Sequence, residues 1–149
     1  MFSLVIFSIP IAISDWKYRR IPNIYLIFIT YWVGLEKFIC GISSPSILCA
    51  SIAVAFLAVT VLGIGMGDAK LFVLISIAVN ISSPFEIVML ICAIYLAASI
   101  QICITWVANQ KIPRSIPMAF SLFFGGTLYL AARGAISLQE YADALVNSW

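Results

Sequence analysis

Six apolar runs, at residues 1–14, 24–41, 46–64, 71–81, 85–107 and 116–132, follow one another with only charges, prolines or Ser/Asn clusters between them. A helix needs about 20 apolar residues to cross a hydrocarbon core about 30 Å thick. The third, fifth and sixth runs meet that length easily, the first and fourth are short, and the second carries Glu36 and Lys37. Short runs are accommodated by tilting, by thinning the bilayer or by drawing on flanking loops. A soluble fold is excluded by composition, because a chain that is 64% hydrophobic and 9% charged has too little polar surface to cover a small globule. The expectation is an all-α integral membrane protein, a bundle of about six transmembrane helices. No linker, charge block or internal repeat divides residues 1–149, so one domain is expected.

The charges orient this bundle. Lys17, Arg19 and Arg20 follow the first run, Lys70 follows the third, and Lys111 and Arg114 follow the fifth, whereas the alternate connections carry Lys37 and Arg133. By the positive-inside rule the cation-rich side is cytoplasmic, which puts the N-terminus outside. Ala12-Ile13-Ser14 resembles a cleavage site, but the cations follow the first run instead of preceding it, which favours an uncleaved helix. Nothing in this charge pattern suits nucleic acid, and the lipid bilayer is the expected environment.

The absence of histidine removes the Ser-His and Cys-His pairs and the usual zinc-protease ligands. Cys40, Cys49, Cys92 and Cys103 form no C-x-x-C pair and read as small buried hydrophobes. Acid-base chemistry is left to carboxylates. Glu36 and Glu86 fall at the outer side, so Asp15 and Asp68, both at cytoplasmic ends of runs, are the one pair able to meet.

Asp15 lies shortly before Ile21-Pro22-Asn23, where Pro22 suits the first turn of the second helix. Asp68 closes Gly65-Met66-Gly67-Asp68, ahead of Ala69-Lys70. Purely structural roles exist for both: Asp15 as an interfacial partner of Lys17 or Arg19, and Asp68 as the N-cap of the fourth helix. A cap does not require the two glycines, which permit unusual backbone geometry and leave room for a peptide to approach. Lys70 suits either support of a nearby carboxylate or snorkelling to the interface. Two close carboxylates share one proton, so one can deprotonate a water while the other donates a hydrogen bond. Helix dipoles favour Asp68 as the charged member and Asp15 as the protonated one, although the neighbouring cations act against this.

Asp15 with Ile21-Pro22-Asn23, and Gly65, Gly67, Asp68 and Lys70 as Gly-x-Gly-Asp-x-Lys, together resemble the motifs of the type IV prepilin peptidases. Ile116-Pro117-Met118-Ala119 resembles a further element of that family at the start of the last helix. The resemblance covers essentially the whole chain. It implies an aspartic endopeptidase of the bacterial inner membrane, with Asp15 and Asp68 catalytic and Gly65 and Gly67 shaping the site. The implied partners are prepilins or pseudopilins, whose short basic leader is removed at the cytoplasmic face, and no metal or cofactor is implied. The larger members that also N-methylate their product carry paired C-x-x-C motifs; these are missing here, so the chain resembles the short peptidases of tight-adherence (Flp-type) pili. The competing reading is a small proton- or cation-coupled transporter using the same two aspartates, but such sites usually lie near the bilayer midplane. Over residues 134–149, Leu138, Tyr141, Leu145 and Trp149 share a helical face, which suggests an interfacial amphipathic tail.

Overall fold

The computed structural model describes residues 2–18, 21–41, 45–110 and 117–146, and it is helical throughout these, with no strand among them. The side chains of residues 2–5, 7, 40, 62, 109 and 138–146 also lie outside the described set. There are six helices among the described residues: α1 (Phe2–Tyr18), α2 (Asn23–Cys40), α3 (Pro45–Leu62), α4 (Met66–Ala78), α5 (Pro84–Asn109) and α6 (Met118–Val146).

Local chemistry explains most of their ends. Gly41 and Gly63 follow α2 and α3 with φ of 91° and 66°, positive values that glycine adopts most cheaply. Ser83 caps α5 by accepting from the Glu86 N–H, with Pro84 in the first turn where its missing donor costs nothing. Pro22 is itself the residue before α2, one position earlier than the first-turn placement expected.

Among the described residues, two segments, Pro84–Ala108 and Met118–Ser137, are long and apolar enough to cross a membrane, while Pro45–Val61 is apolar but shorter. The fourth is short, as its run suggests: α4 has 13 residues, or roughly 20 Å at 1.5 Å per residue, well short of the hydrocarbon core. It is instead a central helix, buried on several sides through Ala69, Leu71, Phe72, Leu74, Ile75 and Ala78. It packs against α2, α3 and α6, while α6 also packs on α1 and α5, and α1 on α2. A helix apolar all round has to be enclosed in this way.

The outward face is also apolar. Phe38, Ile39, Phe56 and Val61 are among many large hydrophobic side chains left exposed, far more than water tolerates on a soluble monomer. Cys49, Cys92 and Cys103 lie on that face, contrary to the buried positions expected, because a small apolar thiol has no need of the interior when the exterior is apolar too.

The two cations assigned to the opposite side gather at the far end of α4. Lys37 is buried and donates to Asn80 Oδ1 at 3.0 Å. Arg133 donates to the carbonyls of Val79 and Asn80 and lies 3.7 Å from Glu86. Carbonyls at a helix end have no partner within the helix, and the guanidinium supplies one. Arg19, Arg20, Lys111 and Arg114 lie outside the described residues. The backbone of α6 runs unbroken to Val146; residues 147–149 and the side chains of 138–146, which would carry the amphipathic face, lie outside the described set.

Helices α5 and α6 approach closely at Gly125, where a Cβ would stand 2.6 Å from Ile94 Cα. Backbone cannot yield as a flexible side chain does, so Gly125→Ala is expected to destabilise the bundle by about 1–3 kcal/mol, the range typical of overpacking. Gly34 faces open space, and Gly34→Ala is expected to stabilise α2 by up to about 1 kcal/mol through helix propensity. Thermal unfolding of the two variants in detergent should show shifts of opposite sign.

Candidate active site

Three helix ends meet at the other end of the bundle. Asp15 lies in the last turns of α1 and is 6% exposed. Its Oδ2 accepts a hydrogen bond of 2.9 Å from the backbone N–H of Ala119, in the first turn of α6. A buried carboxylate needs such a donor, and the unpaired amides of a helix N-terminus are the natural source. Asp68 is half-buried in the first turn of α4, ahead of the apolar stretch that begins at Leu71.

Asp68 is not the cap of α4. Gly65 holds that position, and the Ala69 N–H bonds to the Gly65 carbonyl, leaving Asp68 three residues into the helix with its carboxyl free for other work. Burial, and after it the negative charge of Asp15, push the Asp68 carboxyl up from its usual 3.8 to about 6. The two aspartates are thus close enough to influence one another across 53 residues of sequence. Burial and the charge of Asp15 both favour the protonated form of Asp68, the opposite direction to that drawn from helix ends alone.

The glycines act through space and not through unusual backbone angles. Gly65 has φ −58°, and neither it nor Gly67 has a positive φ. A Cβ on Gly65 would lie 3.2 Å from Asp68 Oδ2, whereas one on Gly67 would make ordinary contact, 3.5 Å, with Ile21 Cβ. Ile21 therefore packs over the first turn of α4, which places the Ile21-Pro22-Asn23 segment against Gly65-Met66-Gly67-Asp68. Asn23 is exposed and touches neither carboxylate by any described hydrogen bond. Lys70 is exposed as well and lines a groove between α2, α3 and α4 shared with Thr30 and Val73, apart from Asp68.

Sequence reasoning missed the support behind Ala119. Ser121 Oγ donates to Gln101 Oε1 at 2.6 Å, and Gln101 Nε2 donates to the Pro117 carbonyl at 3.4 Å. Both side chains are buried, 1% exposed for Ser121 and 6% for Gln101. They clamp α5 to the first turn of α6 on either side of the amide that meets Asp15. The available signal was Gln101 itself, an amide in the middle of a long apolar run, where a polar group is costly unless paired. Of the Ile116-Pro117-Met118-Ala119 element, Ile116 lies outside the described residues, and Ala119 contributes backbone only.

Two outcomes follow. In carbon-13 NMR of labelled carboxyls, Asp68 should titrate near pH 6, and Asp15→Asn should lower that midpoint by removing one of its two causes. Burial remains, so the midpoint should stay above 3.8; an unchanged midpoint would separate the two groups. Gly65→Ala should disturb the Asp68 titration by crowding Oδ2, whereas Gly67→Ala should leave it in place and raise helix stability by up to about 1 kcal/mol.

The model of the type IV leader peptidase family matches residues 2–108, more than half of the chain. That match spans α1 to α5 and stops short of α6, so it does not extend over the whole chain as the motif resemblance suggested. Neither a curated protein nor a solved structure matches.

Proposed function

This chain belongs to the type IV leader peptidase family and is a protease of that type; from this premise we propose that it is an aspartic endopeptidase that removes the short basic leader of prepilins or pseudopilins. The observation that carries the proposal is the pairing of Asp15, anchored on the Ala119 N–H, with Asp68, whose carboxyl is pushed up to about 6 partly by Asp15. Two carboxylates with unequal environments are the arrangement that aspartic proteases use to split acid and base roles.

In the proposed reaction the Asp15 carboxylate takes a proton from a water, whose oxygen attacks the scissile carbonyl carbon. Asp68, protonated, donates a hydrogen bond to the carbonyl oxygen as it gains charge. Collapse of the tetrahedral species breaks the C–N bond, and the proton taken up from water passes to the departing amine. The Gln101–Ser121 clamp keeps the Ala119 donor in register with Asp15, so the base stays fixed while its charge changes.

The wider setting belongs to the same proposal. Residues 1–149 form one membrane-embedded unit in the bacterial inner membrane, with the N-terminus outside and the aspartates toward the cytoplasm. Supporting this, exposed Trp16 and Tyr18 flank Lys17 just beyond Asp15, the mixture found at a membrane–water interface. The opposing cations Lys37 and Arg133 have partners within the bundle instead. The substrate is a prepilin with an apolar N-terminal helix, the chain is of the short type associated with tight-adherence pili, and the reaction ends at cleavage without N-methylation.

Co-expression of a prepilin in membranes with wild type, Asp15→Asn or Asp68→Asn, at equal protein abundance, tests the proposal. Each substitution should reduce leader removal by at least about 100-fold, the lower end of what a positioned acid or base supplies. Undiminished cleavage by both variants would refute the two-aspartate mechanism.

A further inference from the structure

A groove of about 390 Å³ runs between α2, α3 and α4, walled by apolar side chains that include Leu26, Phe56, Val73 and Leu74. Thr30 also lines it, but its hydroxyl donates to the Leu26 carbonyl at 2.7 Å and is spent within α2. The one charged residue in the wall is Lys70, which is exposed and has neither a hydrogen-bond nor a carboxylate partner among the described residues. Lys70 stands near the start of α4, and Leu74 lies a turn further in. From Met66 to Leu74 the groove extends roughly 12 Å at 1.5 Å per residue, close to the depth of one leaflet, half of a hydrocarbon core about 30 Å thick. A wider groove of about 480 Å³ between α1, α4 and α6, lined by Ile9, Ile75 and Phe124, has no charged residue in its wall.

We propose that the groove between α2, α3 and α4 binds an anionic phospholipid, one acyl chain lying along Val73 and Phe56 and the phosphate resting on the Lys70 ammonium. This rests on the placement of the start of α4 at a membrane–water interface and needs nothing of the two-aspartate chemistry. The groove asks for an occupant that is apolar over the depth of a leaflet and negatively charged at one end, and a phospholipid has both properties in that order. A cation on a flexible stem, with its methylenes over an apolar wall and its head at the interface, is placed to meet such a headgroup. Anionic headgroups concentrate in the cytoplasmic leaflet, the side to which the aspartates are assigned, and draw basic groups near its surface. The groove also gives Lys70 a role apart from Asp68, which does not line it: the motif lysine holds a lipid against the same helix that carries the carboxyl.

The test reconstitutes the full chain in phosphatidylcholine vesicles containing a small fraction of photoactivatable lipid, either phosphatidylglycerol or phosphatidylcholine, with the same diazirine-bearing acyl chain. After illumination, mass spectrometry locates the labelled residues. The expected result is labelling at Phe56 and Val73 that is about fivefold greater with phosphatidylglycerol, the preference that one cation gives an anionic surface. Labelling at Phe124, in the uncharged groove, should not depend on the headgroup and serves as the internal reference for how much folded protein each sample holds. Lys70→Gln should bring the preference at Phe56 and Val73 close to one, and Lys70→Arg should retain it. A preference that survives Lys70→Gln, or one equally strong at Phe124, overturns the proposal. Loss of the Phe56 and Val73 labels on adding a prepilin, with the Phe124 label unchanged, also overturns it, because the groove then belongs to the substrate's apolar helix. Asp68→Asn should label as wild type does, so a lipid site found alongside undiminished cleavage by the aspartate variants would stand while the two-aspartate mechanism falls.

Discussion

The 13 residues of α4 present apolar surface in several directions at once, and α2, α3 and α6 are arranged to enclose it. No bilayer can do this alone for a helix roughly 20 Å long, because its polar ends would be drawn into hydrocarbon. The bundle resolves the problem differently at each end. At the C-terminal end, Arg133 reaches the carbonyls of Val79 and Asn80, and buried Lys37 meets the Asn80 side chain. At the N-terminal end the polar groups are instead Gly65, Gly67 and Asp68, left partly open. One end is sealed by side chains and the other is more open.

The available end depends on a contact between residues 104 positions apart, the Ala119 N–H on Asp15. It ties the first helix to the last, and the Gln101–Ser121 clamp holds the last helix to α5. Burial gives these bonds their importance: a buried donor or acceptor deprived of its partner costs about 1–3 kcal/mol. The same burial that would penalise an isolated carboxyl, together with the charge of Asp15, pushes the Asp68 carboxyl up to about 6. In the proposed mechanism, an acid and a base made from the same residue type differ because one has a helix amide and the other has little but apolar walls.

Much of this was legible in the chain. The apolar runs anticipated six helices, the lack of histidine left carboxylates as the acid-base groups, and two short motifs singled out Asp15 and Asp68 at the same end. The glycines were recognised, but for a reason that the backbone does not bear out: neither has a positive φ, and what matters is the 3.2 Å between a Gly65 Cβ and Asp68. Lys70 sat in the motif yet points elsewhere. Ala119 could not be read from sequence, because a backbone amide carries no side-chain signature.

The sequence by itself determined the helical class, since long apolar runs in lipid leave the backbone no partner but itself, and it determined which acids were available. Tertiary structure decided that α4 is a buried centre instead of a full span, and that α6 completes the site with a backbone donor. It also decided which aspartate is pushed toward the protonated form. Those outcomes depend on burial and on distances between residues far apart in the chain, and a pattern along the chain specifies neither.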